Sequence, residues 1–90
     1  MMKEEKFFLL AADSTHLIIK SEKILKENGI ECRIIPLPSE VKATCGLSIR
    51  TDIENKDIDI VDEILKSNGI ELDRYSVIKT GLKKHIEKLN

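Results

Sequence analysis

Ile24-Leu25-Lys26-Glu27-Asn28-Gly29-Ile30-Glu31 returns forty positions later as Ile64-Leu65-Lys66-Ser67-Asn68-Gly69-Ile70-Glu71. Each copy closes a stretch whose apolar residues fall at helical spacing: Leu17, Ile18, Ile24 and Leu25 with Ser21 between them, then Ile58, Val61, Ile64 and Leu65. Asn-Gly ends a helix because glycine accepts the left-handed turn that satisfies the last carbonyls. After each stop comes a run with strand character, Ile30 to Ile35 and a second within Leu72 to Ile78. The repeat therefore marks helix end, turn and strand twice over.

Working outward, Phe7 to Ala12 is apolar without alternation, as expected of a central strand covered on both faces. Asp13 or Ser14 offers a side-chain oxygen as the N-cap of a helix running to about Asn28. Gly46 to Thr51 supplies a third strand with Leu47 and Ile49 inward, and a polar turn around Asp52 to Asp57 leads into the second helix, roughly Lys56 to Asn68. The chain reads β-α-β-β-α-β. The expected fold is α+β and ferredoxin-like, a four-stranded antiparallel sheet with two helices on one face. Residues 1–80 make the domain, and 81–90 a basic tail. In the tail, Leu82, Ile86 and Leu89 at i, i+4, i+7 predict a short amphipathic C-terminal helix. Helices cover one face of such a sheet, yet the first strand is apolar on both. The open face is thus expected to lie under the tail or against a second subunit in a homodimer.

Ninety residues leave no volume for a large enclosed cavity, so function falls to a surface or a shallow cleft. A net charge of −1, interspersed charges and 3% aromatics give neither the basic footprint nor the stacking platforms of a nucleic-acid binder. The charged start Met1 to Lys6 and the short apolar run after it fit neither a signal sequence nor a membrane span, so a cytoplasmic protein is expected. Two cysteines without a secretory signal indicate free thiols. No Gly-rich phosphate loop, nucleophile elbow or metal-ligand spacing is present, so no cofactor and no metal is expected.

Cys32 shares one face with Ile30 and Ile34 and is expected as a core filler. Cys45 differs. It sits between a loop carrying Pro36 and Pro38, which end the second strand and restrict the path, and Gly46, which frees the backbone beside it. Two readings stand: a presented, reactive thiol, or a small apolar residue closing the core. In the expected topology Ser14, Thr15 and His16 at the first helix start share a sheet edge with Cys45 and Gly46. Unpaired N–H groups there, with Lys42 from the loop, favour a thiolate. His16 is either a proton donor or partner to that thiolate or a solvated first-turn residue, and Ser14 and Thr15 are either caps or contacts. His85, among lysines, is expected in solvent.

Ser14-Thr15-His16, Glu22 within the first helix, the Leu25-Lys26 to Gly29-Ile30 helix end, the Pro36-Leu37-Pro38 loop and Cys45-Gly46-Leu47 with Ile49 together resemble the small Se/S carrier protein-like family over about Phe7 to Ile78. The resemblance implies that Cys45 carries sulfur or selenium as a persulfide or selenopersulfide, with Ser14, Thr15 and His16 matching the helix-start residues. Ser39 stands where the family loop usually has arginine, which puts an anion contact there in doubt unless Lys42 replaces it. On this reading the chain is a carrier more than a turnover enzyme, working between a desulfurase-type donor and an acceptor protein. The alternatives are a non-catalytic ligand-binding or protein-interaction module, and a redox sensor pairing Cys45 with Cys32, which the inward position of Cys32 opposes.

Overall fold

The computed structural model describes residues 4–39, 41, 46–54 and 57–89. Its elements are β1 (Glu4–Ala11), α1 (Thr15–Glu27), β2 (Arg33–Pro36), β3 (Leu47–Thr51), α2 (Ile58–Ser67), β4 (Asp73–Thr80) and β5 (Lys83–Lys88). The five strands form one sheet in the order β2-β3-β1-β4-β5, with every neighbouring pair antiparallel. The class is α+β as expected, but with five strands where the sequence suggested four.

The repeat is expressed in the backbone. At the end of α1, Ile30 N–H donates to the Leu25 carbonyl at 2.9 Å and Gly29 N–H to Lys26 at 3.1 Å. At the end of α2, Ile70 N–H donates to Leu65 at 2.9 Å and Gly69 N–H to Lys66 at 3.0 Å. These are the two bonds of a Schellman motif, which requires the positive φ found at Gly29 (79°) and Gly69 (71°). Asn28 and Asn68 each add a side-chain bond to the carbonyl four residues back, both at 2.8 Å. The buried positions repeat as well, Ile18, Ser21 and Leu25 on α1 answering Ile58, Val61 and Leu65 on α2.

Alternation along β1 splits the core into two. Phe8 and Leu10 face the helices and join Ile18, Leu25, Ile49, Val61 and Leu65, with Cys32 at the margin. Phe7 and Leu9 point to the opposite face and pack with Val77. Leu9, Leu10 and Val77 are fully buried, and each such side chain contributes about 1.5–3 kcal/mol relative to exposure. Two buried hydroxyls on β3 are satisfied by the β2 backbone side: Thr51 Oγ1 donates to the Glu31 carbonyl at 2.8 Å and Ser48 Oγ to Ile35 at 3.3 Å.

The tail corrects the helical expectation. Residues 83–88 form β5, paired with β4 from Tyr75↔Lys88 to Thr80↔Lys83. The link is the two-residue turn Gly81-Leu82, with positive φ at Gly81 only, the pattern of a type II′ hairpin. Ile86 packs against the Phe7, Leu9 and Val77 cluster. The tail thus extends the sheet as an edge strand instead of lying across its open face, and Ile86 is its one residue packed on that cluster.

Candidate functional site

At the end of β1 the chain passes through Ala12 and Asp13 to Ser14, the N-cap of α1, whose carbonyl accepts from Ile18 N–H at 3.3 Å. Ser14 is extended (φ −128°, ψ 126°). Its hydroxyl makes no capping bond, and the first turn holds no acidic side chain. The sequence expectation of a side-chain cap from Asp13 or Ser14 is therefore corrected: the position is right and the bond is not made. The first turn of any helix carries N–H groups that have no intrahelical acceptor. Thr15 and His16 are exposed.

On the neighbouring strand, the β1–β3 register ends at Ala11↔Ser48. Asp13 and Ser14 thus leave the sheet at the same end as Gly46. Gly46 is exposed, and its carbonyl accepts from Leu37 N–H at 2.9 Å. That bond continues the β2–β3 pairing one step past Pro36↔Leu47, where proline has no N–H to give. Pro36 closes β2, as the sequence implied. The Pro38 carbonyl accepts from Val41 N–H at 3.0 Å, and Val41 is buried. Ser39 is exposed. Cys45 and Lys42 lie outside the described residues. Of the candidate residues, then, Ser14, Thr15, His16 and Gly46 are gathered at one end of the sheet with Pro36 and Pro38.

Beside Ser14, on the β4 side of α1, a cleft of about 480 Å³ runs between α1, α2 and β4. Its charged wall is Arg74, Asp62 and Lys66: Asp62 holds Lys66 Nζ at 3.1 Å and Arg74 Nε at 3.9 Å. These residues were missed by sequence reasoning: the repeat ends at Glu71, and no local pattern marks Arg74 as a partner of Asp62.

Cys32 is buried in the helix-side core, its thiol directed at the Glu22 carbonyl at 3.9 Å. Burial, reinforced by the Glu22 carboxylate and only partly opposed by Lys26, pushes the thiol pKa up. A thiol so placed stays protonated and unreactive near neutral pH. His85 is exposed, 3.9 Å from Glu87. Among the described residues no three His, Cys, Asp or Glu side chains are grouped to hold a metal ion. No helix is long and apolar enough to cross a membrane.

No curated protein and no solved structure matches the chain. One family model does, over residues 7–76, from Phe7, the first apolar residue of β1, through the first half of β4. The matched span carries both helix stops, the Ser14-Thr15-His16 helix start and the cysteine-glycine pair before β3, and the chain belongs to the family described as "Putative Se/S carrier protein-like".

Proposed function

We propose that the chain is a sulfur or selenium carrier that holds the chalcogen on Cys45. The Cys45 thiolate attacks the terminal sulfur or selenium of a donor enzyme's persulfide or selenopersulfide, and the donor thiolate leaves. Cys45 then bears S–SH or S–SeH, and an acceptor nucleophile takes that outer atom and returns the Cys45 thiolate. No net oxidant is needed, because the chalcogen arrives already at the oxidation level at which it departs.

The observation that carries this reading is family membership over residues 7–76. It is supported by the assignment of the other cysteine: Cys32 is buried and its ionisation is suppressed, which leaves Cys45 for the chemistry. The donor N–H groups at the start of α1 and the imidazole of His16 are suited to stabilising an anionic persulfide. Ser14, Thr15 and Gly46 line the approach, and Lys42 adds positive charge. The role is a relay between a desulfurase-type donor and an acceptor protein, with no turnover pocket of its own, in the cytoplasm. We also read β1 to β4 with the two helices as a ferredoxin-like unit to which β5 is appended. The β2-β3-β1-β4 order supports that reading.

The test is intact-mass spectrometry of the non-reduced protein after incubation with a cysteine or selenocysteine desulfurase and its substrate. A gain of one sulfur or selenium atom that is removed by reductant and absent from Cys45→Ser is expected. No gain in the wild-type chain, with Cys45 alkylating slowly at neutral pH, replaces this reading with a non-catalytic binding module.

A further inference from the structure

The end of the sheet opposite Ser14 carries a second cleft, of about 500 Å³, which is the repeat's counterpart of the first: Glu31 stands for Glu71, and 52–54 for 12–14. Its chemistry differs. The floor is apolar, made by Ile30 and Ile53 with Ile60, which is 47% exposed, at the margin. Around them stand Glu31, Glu54 and Asp57, together with Asp52, which is paired to Arg50 at 3.1 Å. No cation is among the described residues that line it.

At the same end, the β4–β5 turn carries the inverse arrangement. Leu82 is fully exposed at the hairpin tip (106%), followed at once by Lys83 and Lys84. A single exposed leucine needs no explanation. An exposed leucine on a basic hairpin, in a chain that also holds an apolar cleft whose described rim is acidic, has a complement on its own molecule.

The shape agrees with the charge. Pairing of β1 with β3 starts at Phe8↔Thr51, whereas pairing with β4 continues down to Glu4↔Thr80. The β4–β5 hairpin therefore projects past the end of β3 by the length of four β1 residues, roughly 13 Å at the rise of a strand. Among the described residues, one corner of this end carries the hairpin tip, and the other, across the sheet order, holds the cleft. A half-turn about an axis normal to the sheet at this end brings the tip of each copy to the cleft of the other. Both contacts form together and the assembly closes.

We propose that two copies of this chain associate end to end in this way, Leu82 of each seating on Ile30, Ile53 and Ile60 of the other while Lys83 faces Glu31 and Asp57. The Ser14 to His16 ends of the two copies then point outward and away from each other. The pairing does not depend on the chalcogen reading, and Cys45→Ser leaves it unchanged.

The experiment is sedimentation velocity of the full chain from low to high micromolar concentration, at low and at molar salt, with far-UV circular dichroism as the check on folding. A dimer that weakens in salt is expected. Leu82→Asp and Ile60→Lys each shift it to monomer, because each places a repelling charge in an otherwise solvent-facing position. Mixing the two variants restores association, since one tip and one cleft remain native and the other pair brings opposite charges together. A wild-type monomer throughout, an open polymer, a dimer indifferent to either substitution, or no recovery on mixing each overturns the proposal.

Discussion

Arg50 lays its guanidinium 3.9 Å from the centroid of the Phe7 ring, on the face of the sheet opposite the helices. The same guanidinium is hydrogen-bonded to Glu5 and, at 3.1 Å, to Asp52. A ring in that position would otherwise meet water. Phe7 is 3% exposed, packed with Leu9 and Val77 and overlaid by a cation held by two carboxylates.

Arg50→Ala should lower stability by about 1–2 kcal/mol, from the lost cation–ring contact and the uncovered apolar surface, read as a shift in urea midpoint. It should also change the acid limb. The Arg50 hydrogen bond, then its charge, holds the Glu5 carboxyl below the usual glutamate range. A depressed folded pKa gives stability that is present above the unfolded value and lost as pH falls through the folded one. In Arg50→Ala the loss of stability between the ordinary glutamate range and that lower value should be shallower than in the wild type.

The two helix stops allow a matched pair of substitutions. A Cβ built on Gly29 or Gly69 meets nothing within 4 Å, so Gly29→Ala and Gly69→Ala differ from wild type only through the strain of positive φ. Each should cost about 1–2 kcal/mol, and the two costs should agree, since the hydrogen-bonding is the same at both. Equilibrium urea unfolding of the single variants checks this.

A chain ending at Thr80 loses the six β4–β5 pairs and the Ile86 side chain that packs on Phe7, Leu9 and Val77. The truncated chain should unfold earlier in urea, and Ile86→Ala alone should reproduce part of the effect, about 1 kcal/mol for a half-buried side chain. An unchanged midpoint in both would mean that the edge strand adds nothing to the core it borders.

Cys32 can be isolated chemically in a Cys45→Ser background. Its thiol should alkylate slowly in the folded protein at neutral pH and rapidly in denaturant, because burial and Glu22 raise its pKa. The sign of the linkage follows: below the unfolded thiol's pKa both states are protonated and stability is unaffected by this group. As pH climbs from there toward the raised folded value, the unfolded chain ionises first and stability falls. Cys32→Ala should remove that alkaline decline, measured by urea midpoints across the range.

The parts of this fold that were legible in the chain are those governed by near neighbours. Asn28-Gly29 and Asn68-Gly69 end helices through bonds reaching back five residues or fewer, so their chemistry is written locally. The unbroken run from Phe7 to Ala12 announced a strand buried on both faces, and the two clusters on either side of β1 are what that pattern encodes. The tail was misread because Leu82, Ile86 and Leu89 happen to fall at helical spacing. Only Ile86 turns inward from β5, and an edge strand that is charged and exposed elsewhere gives little alternation to detect. The better signal was Thr80-Gly81-Leu82-Lys83, a glycine at the first position of a two-residue turn. At the candidate site, sequence placed Ser14 at the helix start but not the disposition of its hydroxyl, which depends on how β1 delivers it. Arg74 escaped notice because its place beside Asp62 is set by the approach of β4 to α2, a contact no local pattern reveals.

The sheet order separates what the sequence repeat joins. β1, from the first copy, lies between β3 and β4 of the second, and β3 lies between β1 and β2. Neither half owns a continuous sheet, and the pairing that brings Gly46 to the same end as Ser14 is itself a seam between halves. A chain cut once between Pro36 and Leu47 should therefore yield two fragments that are unstructured alone and clasp one another when mixed. The geometry of the candidate site is a property of that clasp, not of the peptide bonds running between the halves.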